Sequence, residues 1–164
     1  MARRVIAGVL ATFLLAVLQT TLGSRLAVGG VAPDLLFVWT VCIGLLSGGR
    51  TGAVVGFSCG LLEGCLEQRL LGALAISKLL SGYGAGLLAT KMFKENWLVP
   101  VVAAALLTIL NEGVRVLLSP SPGWLQADRI LGTKMVYHAL LSPFAYVLVS
   151  RARRFLTTRR AKAA

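Results

Sequence analysis

From Gly52 to Glu67 an apolar run carries Gly52, Gly56, Gly60 and Gly64 at every fourth position, with Glu63 and Glu67 set among them. At about 100° per residue, the four glycines fall within about 120° of one helical face, and both carboxylates lie inside that arc. In water such a helix is poor, because each glycine costs about 1 kcal/mol relative to alanine. In a bilayer the same smooth ridge lets a second helix approach closely, and small residues four apart form the usual contact surface. The stretch therefore predicts a membrane helix packed through its small face, with its acids turned away from lipid.

Composition agrees. Hydrophobic residues make up 57% of the 164, and charged residues only 14%, where soluble domains carry about 25%. Mean hydropathy is +0.81. The net charge of +11 is explained by topology and anionic lipid rather than nucleic acid, since no basic folded domain accompanies it. The length suits one compact bundle. Cys42, Cys59 and Cys65 lie in apolar runs without metal-ligand spacing, so neither a disulfide framework nor a zinc site is expected.

Six apolar segments can be delimited. The first runs from Val5 to about Leu22 after Arg3 and Arg4, an uncleaved first span rather than a signal peptide, given the segments that follow. A glycine-rich loop leads to Pro33 and Asp34, and the second segment covers about Leu35 to Leu46. That is short for a crossing, so flanking chain must enter with it. The glycine ridge is the third. The fourth covers about Leu71 to Thr90, the fifth Leu98 to Leu118, and the sixth Leu131 to Ser150 with a kink expected at Pro143. The expected architecture is an all-α integral membrane protein: a compact bundle of six transmembrane helices over residues 1–150, then a basic cytoplasmic tail over 151–164.

Positive charge orients such a bundle. One side holds Arg3, Arg4, Arg50, Lys91, Lys94 and the six basic residues of the tail; the other holds Arg25, Arg69 and Arg129. Both termini are thereby expected in the cytoplasm. Lys78, Arg115 and Lys134 remain inside the spans, where ionisable groups are expensive and seek partners. Lys78 shares its face with Gly82 and Gly86. Asn111, Glu112 and Arg115 form a narrow arc on the fifth segment, and Lys134 and His138 share a stripe on the sixth. Glu63, Glu67, Lys78, Asn111, Glu112, Arg115, Lys134 and His138 are thus expected as one buried polar cluster towards the outer face, its acids facing its bases. Two readings stay open: an ion-pair network that fixes helix register, or the lining of a cavity open to the outside. Nucleophile–base pairs, phosphate-binding loops and HExxH-type spacing are all missing from the sequence, so neither an enzyme nor a cofactor is expected.

Pro33-Asp34-Leu35-Leu36 opening a span, Gly49-Arg50 with Gly52, Gly56-Phe57, Gly60-Leu61-Leu62, Leu71-Gly72, Gly82-Tyr83 and Gly86 together resemble the rod-shape-determining protein MreD family. The resemblance implies a non-catalytic component of the bacterial inner membrane that supports lateral peptidoglycan synthesis and cell shape. It implies partners as well: an MreC-like single-span protein, the MreB filament, a RodA-type glycosyltransferase and a penicillin-binding transpeptidase. It also implies a fold similar to the substrate-binding subunits of ECF-type transporters, whence the rival reading of a small-molecule-binding transport subunit. For Gly52, Gly56, Gly60, Gly64, Gly82 and Gly86 two roles are open, contact with a partner's helix or packing of the third segment on the fourth.

Overall fold

The computed structural model describes residues 2–27, 31–68, 70–91, 98–118 and 127–161. They form six helices: α1 (Ala2–Leu26), α2 (Leu35–Ser47), α3 (Gly49–Glu67), α4 (Leu71–Lys91), α5 (Leu98–Leu118) and α6 (Ala127–Ala161). The charged connector at 92–97, the proline-containing loop at 119–126, Arg69 and residues 162–164 lie outside the described residues. By length and composition α4, over Leu71–Thr90, and α5 can each cross a membrane; α1 and α2 hold shorter apolar stretches.

The middle helices begin and end where glycine, proline or charge interrupts the pattern. Asp34 caps α2, its Oδ1 accepting from the Phe37 backbone N–H at 2.8 Å. Gly48 closes it with a positive φ of 91°, and its N–H donates to Gly44 O. Pro100 falls in the first turn of α5, where its missing N–H costs nothing. The outer helices run longer than the apolar pattern. Nothing between Ser150 and Ala161 breaks a helix, so the basic segment expected as a separate tail continues α6. The helix also runs through Pro143, which cannot donate to Ala139 O. Ser142 Oγ donates to that carbonyl instead, at 3.2 Å.

The shortest helix is the centre of the molecule. α2 touches all five others, and Phe37, Val38, Val41, Cys42 and Leu45 form the apolar core with Ala85, Ala103, Leu107 and Val149. Val31 and Pro33, just before it, are buried too. Protein groups meet both ends of this 13-residue helix, Asp34 at its start and Arg153 on the Leu46 carbonyl near its end.

α3 and α4 form an antiparallel pair joined along the glycine ridge. A Cβ on Gly64 would meet Leu71 Cα at 2.7 Å, and one on Gly60 would meet Ala75 Cα at 2.6 Å. Gly52 and Gly82 face each other's carbonyls, Gly56 faces the Lys78 carbonyl, and Gly86 faces Gly49. Thr40 of α2 closes the junction, its Cγ2 lying 2.9 Å from the Cβ position of both Gly56 and Gly82. All six candidate glycines are buried in this seam. Here they pack helix on helix, as small-residue ridges do.

Contacts between helices place their ends. Thr12 meets Trp39 and Gln19 meets Leu36, so α1 runs antiparallel to α2. Phe37 meets His138, Cys42 meets Ser142 and the Leu46 carbonyl meets Arg153, so α6 runs parallel to it. The starts of α1, α3 and α5 therefore share one end of the bundle with the last turns of α2, α4 and α6. Arg3, Arg4, Arg50, Lys91 and the arginines after Ser150 all belong to helix positions at that end. Asp34, Glu63, Glu67 and Glu112 lie towards the other.

Candidate functional site

The polar residues expected as one cluster divide into two charged groups with a histidine between them. In the first, Lys78 of α4 is wholly buried and its Nζ contacts two carboxylates. Glu63 Oε2 of α3 is 2.8 Å away, and Asp34 Oδ2 is in direct contact. Asp34 thus serves twice, one oxygen capping α2 and the other holding the lysine. Gln19 of α1 completes the group: its Nε2 reaches Glu63 Oε1 at 3.5 Å, while its Oε1 accepts from Leu36 N at 3.0 Å. Four helices meet here because each contributes one polar group that has no other place to go in an apolar interior.

The second group ties α5 to α6. Glu112 Oε1 accepts from Lys134 Nζ at 2.7 Å, and Glu112 Oε2 accepts from Arg115 within the same helix at 2.6 Å. This group is more open, with the Arg115 side chain 30% and the Lys134 side chain 17% exposed.

His138 lies between them. Its ring stacks on Phe37 with centroids 4.6 Å apart, and Lys78 Nζ stands 5.8 Å from the Phe37 centroid. Thr108 Oγ1 donates to Ala104 O at 2.6 Å and lies 2.8 Å from His138 Nδ1. This contact fastens the imidazole of α6 to the hydroxyl of α5. Nε2 is buried without a hydrogen-bond partner, as is Asn111 Oδ1.

Of the eight residues singled out in the sequence, Glu63 and Lys78 meet in the first group, and Glu112, Arg115 and Lys134 in the second. His138 and Asn111 line the interior beside them, and Glu67 is exposed one turn beyond Glu63. Asp34 and Gln19 were not among the eight. Asp34 carried a readable signal, an N-cap residue directly before an apolar helix; Gln19 carried only its amide in an apolar run. Cys42 and Cys59 are buried and Cys65 is exposed, all as free thiols. Among the described residues no group of three or more His, Cys, Asp or Glu is placed to hold a metal ion. Opposed acids and bases thus join α4 to α3 and to the start of α2, and α5 to α6.

A family model described as rod shape-determining protein MreD matches residues 2–152. No curated protein and no solved structure matches the chain. The matched region takes in all six helices up to the start of the basic extension of α6, and with it every residue of both charged groups. The chain belongs to the rod shape-determining protein MreD family.

Proposed function

We propose that this chain is a non-catalytic scaffold of the bacterial inner membrane that determines rod shape by binding an MreC-like single-span protein. Through that partner it supports the MreB filament, the RodA-type glycosyltransferase and the penicillin-binding transpeptidase in lateral wall synthesis. Family membership across the bundle carries the reading.

The distribution of side chains supports the membrane location. Leu117 is 80%, Phe144 78% and Leu148 70% exposed, whereas Thr40, Ser77, Lys78, Ser81 and Thr108 are inaccessible. Large apolar groups outside and polar groups inside suit lipid, and in water they would form an adhesive patch. The collection of basic positions at one end favours that end as the cytoplasmic one, with both termini inside the cell. With the glycine ridge engaged between α3 and α4, partner helices would meet the outward apolar faces instead.

The test is a mild-detergent pull-down of the tagged protein from its native membrane, with mass spectrometry of the associated proteins. Recovery of an MreC-like single-span protein or wall synthases is the expected result. Recovery of an ATPase module in their place would sink the scaffold reading and favour the ECF-type transport subunit.

A further inference from the structure

α2 is enclosed on every side but one. Around it α1 packs on α3, α3 on α4, α4 on α5 and α5 on α6, but among the described residues α6 makes no comparable contact with α1. The ring of helices is therefore open between α1 and α6. Burial along α2 marks the same opening. Before Ser47, only Leu35, Trp39, Ile43 and Leu46 of this helix are half-buried rather than buried. At about 100° per residue these four fall within about 80° of one face. Trp39 Nε1 donates to Thr12 of α1 at 3.1 Å, and the Leu46 carbonyl accepts from Arg153 of α6. The stripe is thus bracketed by the two helices that fail to meet. It forms the apolar floor of a cleft whose banks are α1 and α6.

Length and charge narrow what fits there. From Leu35 to Leu46 the floor is about 16 Å long, close to half of the roughly 30 Å hydrocarbon core of a bilayer. It reaches inward from the basic end of the bundle, where α2 terminates. A spanning helix of a partner would find floor for only half its length, whereas the acyl chain of a single leaflet needs no more. The mouth of the cleft is cationic on both banks. Arg3 and Arg4 belong to the start of α1, and Arg151, Arg153 and Arg154 are exposed on α6. Asp34, Glu63, Glu67 and Glu112 all lie towards the other end. Guanidinium groups hold phosphate oxygens through charge-assisted hydrogen bonds, and basic clusters at this depth attract anionic headgroups.

We infer that the cleft between α1 and α6 binds an anionic phospholipid of the leaflet at the basic end. One acyl chain lies along Leu35, Trp39 and Leu46, and the phosphate sits among the arginines of the two banks. The inference rests on the membrane location proposed above and not on any partner.

Trp39 supplies the test. The tryptophans are Trp39, Trp97 and Trp124, so Trp97→Phe with Trp124→Phe leaves Trp39 as the sole indole of the full-length chain. A bromine atom on an acyl chain quenches indole fluorescence on contact. The protein is reconstituted in phosphatidylcholine with rising fractions of brominated phosphatidylglycerol or, in parallel, of brominated phosphatidylcholine. Saturable quenching is expected at a several-fold lower mole fraction of the anionic lipid. Arg153→Gln should abolish that preference. Arg3→Gln with Arg4→Gln should weaken it without touching the Arg153–Leu46 contact, which covers the case in which Arg153→Gln does not fold. Arg50→Gln, at the same end but on α3, should leave it intact. Equal quenching by the two lipids, no quenching, a preference that survives both cleft variants, or an equal loss in Arg50→Gln would each overturn the inference. So would quenching that disappears when the protein is isolated with a single-span partner, which would give the cleft to that partner's helix. Phe144→Trp with Trp39→Phe moves the indole to a position 78% exposed on the outward face of α6, where both lipids should quench alike. Quenching at 144 with none at Trp39 overturns the cleft and leaves the membrane location standing; quenching at neither overturns both.

Discussion

Gly56 of α3 lies against the backbone carbonyl of Lys78, the residue whose ammonium holds Glu63 of that same α3. The glycine seam and the buried charge group are thus two sides of one contact. Close approach at Gly56 sets the depth at which Lys78 enters the interior, and Glu63, two turns further along α3, is brought into reach. Gly56→Ala should therefore damage more than packing. Its Cβ would meet Lys78 C at 2.7 Å, and relieving an overpacked contact costs about 1–3 kcal/mol. Gly113→Ala, with nothing within 4 Å of its Cβ, should be neutral or stabilising by about 1 kcal/mol from helix propensity. Thermal unfolding of both variants in detergent checks this, and equal losses would show that the seam is not the cause.

Lys78→Leu strands two acids, so a fall in folded yield corresponding to about 3–5 kcal/mol is expected. Because Asp34 and Glu63 share the lysine, adding Glu63→Leu alone should restore little. Adding Asp34→Asn to that double variant should restore most of the yield, since Asn still caps α2. Gel filtration of the monodisperse fraction measures it. Full rescue by the double variant would mean that Asp34 does not bear on Lys78.

At Glu112 the two bases are unequal. Lys134→Met breaks the ion pair that joins α5 to α6, whereas Arg115→Met removes a more exposed partner on the same helix. We expect a cost of about 1–3 kcal/mol for the first and at most about 1 kcal/mol for the second. Double-mutant cycles with Glu112→Gln give both coupling energies, and the reverse ranking would contradict the assignment of the cross-helix link.

Thr108→Val leaves His138 Nδ1 buried and unpaired, at a cost of about 1–3 kcal/mol. Thr108→Ser keeps the hydroxyl and should retain nearly full stability. If Thr108→Val is as stable as the wild type and Thr108→Ser is not, the methyl group rather than the hydrogen bond matters at this position.

Much of this was legible from composition and spacing, and the remainder was illegible for definite reasons. The limits of α2 to α5 follow from Asp34, Gly48, Gln68 and Pro100, residues that act locally on the backbone. The polar stripes of α5 and α6 follow from helical periodicity alone. Which acid meets which base depends on helix neighbours and their relative heights, and periodicity holds no information about either. Asp34 shows this best: its place before α2 predicts a cap, but its second oxygen finds Lys78 only because α4 passes behind α2. The ends of α1 and α6 were underestimated because apolar runs end at charges, whereas helices do not.

The unbroken course of α6 has a mechanical consequence. Lys134 and His138, which face the interior, and Arg159, in the last turn, belong to one helix of 35 residues, about 52 Å in length. Its last 11 residues extend about 16 Å past Ser150. An axial shift imposed on that outer segment is conveyed along the rod to the Glu112–Lys134 and Thr108–His138 contacts. A pull on the outer end is thus felt first where Arg153 and Ser142 hold α6 to α2, and only beyond them at the contacts with α5.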